Sequence, residues 1–125
     1  MAKLLTLLAL LFGGLCCLIG LAHILFGPSV IPGSIPGTVT MDNEDRFYAT
    51  IFLGYGVAMI WAARDLAARR GTFFALVALF FVAGLSRLVS VAMVGWPVPS
   101  ITAFLIFELI LPPLFWWMHR RAYPG

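Results

Sequence analysis

The chain has 125 residues, of which 62% are hydrophobic and only 10% are charged, and its formal net charge is +3 at neutral pH. Its mean hydropathy of +1.04 excludes an ordinary soluble domain, in which charged residues make up about a quarter of the sequence. Nucleic-acid binding is excluded as well, because the basic residues form no basic face with interleaved aromatic side chains. The composition therefore predicts an integral membrane protein.

Four apolar runs are each close to the ~20 residues that an α-helix needs to cross the hydrocarbon of a bilayer. They are residues 4–26, 47–63, 73–94 and 101–118. An outer loop, residues 27–45, separates the first two runs, and the other connections are short, so consecutive helices should pack as antiparallel neighbours. The sequence predicts one domain over residues 1–125, with an all-α fold: an integral membrane four-helix antiparallel bundle.

Helix-breaking and capping residues mark the expected helix boundaries. In chain order they are Gly27 with Pro28, Asp42 or Asn43, Gly71 with Thr72, and Gly95 with Ser100. Glycine and proline interrupt or end helices, whereas Ser, Thr, Asp and Asn cap helix N-termini. We expect Asp42 or Asn43 to cap the second helix, Thr72 the third and Ser100 the fourth.

Small residues recur every four positions in the first two runs. The pairs are Gly13 with Cys17 and Cys16 with Gly20, and the second run contains the series Gly54, Ala58 and Ala62. Such series favour close packing of membrane helices, within a bundle or in a homodimer. We expect these faces to be helix contacts.

The basic residues flanking the runs are distributed unevenly between the two ends of the bundle. Those expected at the end that carries both termini are Lys3, Arg64, Arg69, Arg70, Arg120 and Arg121. Only Arg46 flanks the other end. By the positive-inside rule this distribution places both termini in the cytoplasm.

Arg87 lies in the middle of the third run, and Glu108 lies in the fourth. If these runs form a hairpin around residues 95–100, Arg87 lies eight residues before the turn and Glu108 eight residues after it. Both would then lie at the same depth, roughly 12 Å below the membrane surface. A charged side chain at the centre of a bilayer costs about 2.5 to 3.5 kcal/mol on insertion scales, so such residues usually face a partner or a cavity. We therefore predict an ion pair within the membrane.

Further polar side chains are expected in the same outer half of the bundle. With Arg87 and Glu108, the candidate ligand-binding residues are His23, Arg46, Tyr48, Ser86 and Ser90. Their shared depth predicts a polar crevice that opens outward, with an apolar inner half of the bundle beneath it. Simpler roles remain open: a hydrogen-bonded interfacial His23, an Arg46 that reaches lipid phosphates, and an Arg87–Glu108 pair that only fixes the register of two helices.

Two prolines follow Glu108 in the fourth run. Pro112 and Pro113 have no amide hydrogen to donate to the carbonyls of Glu108 and Leu109. The sequence predicts a kink that frees two backbone acceptors close to the ionisable side chain. In transporters, interrupted helices of this kind mark binding sites, although most proline kinks are purely structural.

Several motifs together resemble a known family. They are the segments 20–23 with Gly27, 46–48 with Gly54, 84–90 followed by 95–97, and the Glu in the last run. This pattern is similar to a family of small bacterial four-span membrane proteins known only as a domain of unknown function. The resemblance implies a four-helix fold in the bacterial cytoplasmic (inner) membrane. It supplies no activity and assigns no role to any residue.

Three functions are consistent with the sequence. The first is binding of an amphipathic or lipid-like ligand in the crevice, with Arg87 and Arg46 at its head group. The second is proton-coupled transport, for which Glu108 would be the membrane carboxylate. The third is an accessory role in a homodimer or a larger membrane complex, with membrane lipids as the other partners.

Catalysis is the least favoured function. The sequence contains no phosphate loop and no nucleophile–base pair, and His23 with Glu108 is the one conceivable acid–base couple. Cys16 and Cys17 have no His or carboxylate at metal-ligand spacing, so we expect neither a metal site nor a cofactor.

Overall fold

Four long α-helices account for most of the chain. In the computed structural model, which describes residues 1–125, they are α1 (Ala2–Phe26), α2 (Val39–Ala63), α3 (Arg70–Val94) and α4 (Pro99–Ala122). A single 3₁₀ turn, Gly27–Val30, follows α1, and there is no β-strand. All four helices are long and apolar enough to cross a membrane. The predicted all-α, four-span architecture is therefore confirmed, and the chain is a multi-pass membrane protein.

The two ends of the bundle differ in what they carry. Both chain termini lie at one end, here called the terminal end, where Arg70 Nη1 donates a hydrogen bond to the backbone carbonyl of Gly125 at 2.9 Å. The opposite end, here called the loop end, consists of residues 27–38 and 95–98. The first of these connections touches the start of α4, because Ser100 Oγ donates to the carbonyl of Pro32 at 2.8 Å.

The second helix begins at Val39, eight residues before the predicted span. Its N-cap is Thr38, whose Oγ1 accepts a hydrogen bond from the Met41 amide at 3.1 Å, so the prediction of a cap at Asp42 or Asn43 is wrong. Hydropathy detects only the apolar part of a helix, and the first two turns of α2 are polar. The outer loop is correspondingly shorter than the predicted 27–45.

Two further capping predictions are wrong. The third helix begins at Arg70 without a side-chain cap, so Gly71 and Thr72 lie within its first turn. The fourth begins at Pro99 with Val98 as its N-cap and also has no side-chain cap, so Ser100 lies within its first turn. Gly27 and Gly95 do end α1 and α3, with φ angles of 70° and 104° that favour glycine.

The bundle consists of two antiparallel hairpins, α1 with α2 and α3 with α4. Glycines bring the first two helices very close: a Cβ at Gly56 would lie 2.7 Å from the carbonyl oxygen of Gly13, and a Cβ at Gly20 would lie 2.9 Å from the amide nitrogen of Leu53. The predicted packing role of Gly13 and Gly20 is confirmed. Gly54 faces open space, so its predicted role is wrong within the chain, and Gly56 packs in its place.

The hydrophobic core joins the two hairpins in the half of the bundle nearer the terminal end. Its buried members are Leu5, Ala9, Phe12, Cys16, Met59, Ala62, Ala63, Leu66, Phe73, Val77, Phe80, Phe115 and Met118. This half is predicted to be apolar, and an exception is His119, which is fully buried with Nε2 2.8 Å from the carbonyl of Leu66. The aromatic rings of Phe73, Phe74 and Tyr123 surround it.

Candidate functional site

A cavity of about 820 Å³ lies between the two hairpins in the half of the bundle nearer the loop end. Its deep end is formed by core residues, among them Phe12 and Phe80, and its loop end is bordered by Ile31, Pro32 and Ser100. The cavity exists because the hairpins are held together by the core at the other end and each hairpin packs on itself here. Most of its surface is apolar, with a small set of ionisable side chains.

Arg87 and Glu108 form the predicted ion pair at this cavity. Arg87 Nε lies 2.7 Å from Glu108 Oε2 and 2.9 Å from Oε1. Gly84 permits this approach, because a Cβ at that position would lie 3.1 Å from the Cβ of Glu108. The prediction that the two charges meet at one depth is confirmed.

The pair is asymmetric in burial and in bonding. The side chain of Glu108 is 6% exposed, whereas that of Arg87 is 39% exposed. Both carboxylate oxygens of Glu108 accept from Nε of Arg87. Neither Nη1 nor Nη2 of Arg87 makes a hydrogen bond to the protein. Because a guanidinium is a donor that stays protonated, Arg87 presents unused positively charged N–H groups beside the cavity.

A second polar pair, which joins α1 to α2, also lines the cavity. His23 Nδ1 lies 2.8 Å from Asp45 Oδ2, and both side chains are largely buried. A carboxylate only accepts hydrogen bonds, so the proton between them belongs to Nδ1, and Nε2 is left without a protein partner. Asp45 was absent from the residues predicted for the site. The expected cap at Asp42 or Asn43 already puts Asp45 in the first turn of α2, but which side chain of that turn faces His23 depends on how α1 and α2 pack.

Arg46 lies outside the cavity, in contrast to the prediction that it lines the crevice. Its Nε donates to Asp42 Oδ1 at 2.8 Å, and its Nη1 donates to the carbonyls of Ile24 and Leu25 at 2.8 and 3.3 Å. These carbonyls are among those left unpaired at the C-terminus of α1. Arg46 therefore caps α1 from the neighbouring helix.

The remaining predicted residues divide into two groups. Tyr48 lines the cavity at its rim and is 60% exposed. Ser86 and Ser90 are exposed and do not line it. The structure thus brings together His23, Tyr48, Arg87 and Glu108 from the predicted set and adds Asp45.

The arrangement can bind a molecule that is part polar and part apolar. Donor and acceptor groups lie in the loop-end part of the cavity, and aromatic and aliphatic side chains form the remainder. No three metal-ligating side chains lie together anywhere in the chain.

Comparison with known proteins places the chain in a family. No curated protein and no solved structure matches it. The model of a family described as a domain of unknown function, DUF4345, matches residues 4–119. The match covers nearly all of the four helices and every cavity residue named above. The chain therefore belongs to the DUF4345 family, as its motifs predicted.

Proposed function

We propose that this protein binds an amphipathic, lipid-like molecule in the cavity between its hairpins. The observation that carries the proposal is an apolar cavity of about 820 Å³ bordered by a guanidinium whose Nη groups are unpaired. Small-molecule sites are typically mostly apolar clefts of about 300 to 1,000 Å³ with a few placed polar groups. The head group of the ligand lies near Arg87, and its apolar part lies toward Phe12 and Phe80.

We also propose that the protein resides in the bacterial cytoplasmic membrane with both termini in the cytoplasm. The terminal end supports this orientation, because it carries most of the basic residues that flank the helices. Three arginines there lie over tryptophan rings, as is common where side chains meet a membrane interface: Arg69 over Trp61, Arg120 over Trp116 and Arg121 over Trp117. In this orientation the loop end and its cavity lie in the outer half of the membrane.

The direct test is native mass spectrometry of protein extracted with its surrounding lipids in polymer nanodiscs. We expect the unaltered chain to retain a bound small amphiphile. Ala83 lines the cavity on α3, so Ala83→Phe should fill the space and abolish the bound mass. Ala103, which is exposed on α4 and does not line the cavity, provides the matched control Ala103→Phe.

Two results would contradict the proposal. One is the absence of any bound small molecule from the unaltered protein. The other is equal loss of the bound mass in both alanine variants, which would mean that the ligand lies on the lipid-facing surface and not between the hairpins. Thermal unfolding of both variants, measured alongside, establishes that each retains the fold.

Proton-coupled transport is a second candidate function, favoured by the presence of three titratable carboxyl and imidazole side chains around one cavity. They are His23, Asp45 and Glu108. Membrane-embedded groups of this kind form proton relays in transporters. In proteoliposomes, uptake of the ligand identified by mass spectrometry should release protons, and Glu108→Gln should abolish the release. Proton release that persists in Glu108→Gln would remove Glu108 from this role.

A further inference from the structure

The Arg87 guanidinium has more unused hydrogen-bonding capacity than any other side chain described at the cavity. Both Nη groups of Arg87 lack a protein acceptor, while both oxygens of Glu108 and one oxygen of Asp45 are already occupied. Unpaired polar groups in apolar surroundings are unfavourable, and a guanidinium cannot become neutral to avoid the cost. The group that best satisfies it is an oxyanion, which accepts parallel N–H bonds from the guanidinium.

The acidic side chains do not offset this preference. Glu108 is buried behind Arg87, with its charge balanced by Nε at 2.7 Å. Asp45 is balanced by the imidazole of His23 at 2.8 Å when that ring is protonated, and it orients the ring when neutral. Each carboxylate at the cavity thus already accepts from a nitrogen, whereas the Nη groups of Arg87 have no acceptor.

The size of the cavity restricts the apolar part of the ligand. Its volume of about 820 Å³ lies within the usual range for small-molecule sites. Along α1 the cavity extends from His23 to Phe12, eleven residues, or about 16 Å of helix. A space of this length accommodates an acyl chain.

The rim indicates where the ligand comes from. Leu18, Ile51 and Leu79 belong to three different helices; they line the cavity and are also 66%, 59% and 56% exposed. These side chains face the lipid, so the cavity communicates with the bilayer between the hairpins. At the loop end, in contrast, Pro32 lies across the cavity and is held by Ser100.

We infer that the ligand is an amphiphile with an anionic head group, a carboxylate or a phosphate monoester, that enters from the surrounding leaflet. This inference rests on the proposed function and adds the class of ligand. The Nη groups of Arg87 bind the oxyanion. His23 lies at the same cavity with its Nε2 free of protein partners, and in the imidazolium form that nitrogen is a further N–H donor for the head group.

Four probes with the same sixteen-carbon chain separate head-group charge from chain binding. They are palmitate, palmitoyl-lysophosphatidate, hexadecylamine and hexadecanol, added to the full chain in phosphatidylcholine nanodiscs. We expect each anion to bind about 10- to 100-fold more tightly than the amine or the alcohol, the difference that charge-assisted hydrogen bonds make. The tighter of the two anions identifies the head group as carboxylate or phosphate.

Substitutions at the ion pair test whether Arg87 is the source of the preference. The double variant Arg87→Gln/Glu108→Gln removes both charges together, so it leaves no buried charge unpaired. It should bind all four probes with similar affinity. Glu108→Gln alone keeps the guanidinium and removes its counter-charge, so it should bind the anions at least as tightly as the unaltered chain.

The outcomes distinguish this inference from the proposed function. Tighter binding of hexadecylamine, or an anion preference that persists in the double variant, would overturn the inference. If hexadecanol binds as tightly as the anions and Ala83→Phe blocks it, the cavity is a lipid site without head-group selection, and the proposed function stands alone. If none of the four probes binds, both proposals fail.

Discussion

Glu108 depends on Arg87 more than Arg87 depends on Glu108. The carboxylate is almost fully buried between α3 and α4 and has no other hydrogen-bond donor, whereas the guanidinium has access to the cavity. A buried charge left without its partner is strongly unfavourable, whereas removal of both partners together is often tolerated. The two residues should therefore respond very differently to single and double substitution.

Replacement of Arg87 by alanine should destabilise the bundle by about 3 kcal/mol, because it leaves the Glu108 carboxylate buried and unpaired. The measurement is the free energy of unfolding in mixed micelles of increasing denaturing-detergent content. The control is the double variant Arg87→Met/Glu108→Met, which removes both charges and leaves neither unpaired. It should lower the free energy of unfolding much less. Equal stability of Arg87→Ala and the unaltered chain would show that water reaches Glu108 freely.

The sequence specified this ion pair but not the second polar pair. Arg87 and Glu108 could be matched because two apolar runs of similar length meet at a short turn, so equal distances from the turn give equal depth. A cap at Asp42 or Asn43 puts Asp45 in the first turn of α2, where the helix dipole alone accounts for a carboxylate, so nothing in the sequence links it to His23. Depth alone also assigns Arg46 to the crevice, whereas the packing of α1 against α2 makes it a cap for α1.

At the level of the helices, the first hairpin is closed by glycines on facing surfaces. Gly56 contacts Cys17 and Gly13 so closely that a Cβ would lie 2.7 Å from Cys17 Sγ, while Gly54, two residues earlier in the same helix, has nothing within 4 Å. The spacing of small residues alone could not distinguish these two glycines. The distinction depends on which face of α2 packs against α1, and the spacing of small residues within one helix does not determine that face.

Gly56→Ala should therefore destabilise the protein by about 1 to 3 kcal/mol, the usual cost of overpacking a tight contact. Gly54→Ala is the matched control and should be neutral or stabilising by up to about 1 kcal/mol, because alanine favours the helix and meets no neighbour. Detergent-induced unfolding of both variants provides the comparison. Equal destabilisation would mean that the Gly54 face also packs, against a second copy of the chain or another protein.

The end of α1 depends on another glycine. Gly27 has a φ angle of 70°, and a Cβ there would lie 2.7 Å from Asp42 Oδ2 and 2.9 Å from Arg46 Nη2. With its ψ of −161°, this is a backbone conformation essentially restricted to glycine that costs other residues about 1 to 3 kcal/mol, and the clash would displace Arg46 from the carbonyls that it caps.

Gly27→Ala should therefore destabilise the chain by at least about 1 kcal/mol. Amide hydrogen exchange should increase in the last turn of α1, because Arg46 no longer holds its carbonyls. Gly14→Ala is the control, since Gly14 is helical and has open space around it. Unchanged exchange at the end of α1 in Gly27→Ala would show that Arg46 is not required as a cap.

Across the whole molecule, stability and the cavity are located in different halves. The core joins the hairpins near the terminal end, whereas near the loop end they are joined across the cavity by few contacts beyond the bond from Ser100 to Pro32. The four spans and their antiparallel order were predictable from hydropathy and turn length. The separation of the hairpins was not, because it depends on how side-chain volumes fill the space between them.

Two phenylalanines of α4 test this division of the molecule. Phe115 is 1% exposed in the core, whereas Phe107, eight residues earlier, lines the cavity and is 38% exposed. Phe115→Ala should cost roughly 2 to 4 kcal/mol, because it removes packing that joins the two hairpins. Phe107→Ala should cost much less and should instead weaken retention of the bound amphiphile in native mass spectra. The opposite pattern would be a large loss of stability in Phe107→Ala with no change in retained ligand. It would mean that the hairpins pack against each other at the loop end and that the folded protein has no cavity there.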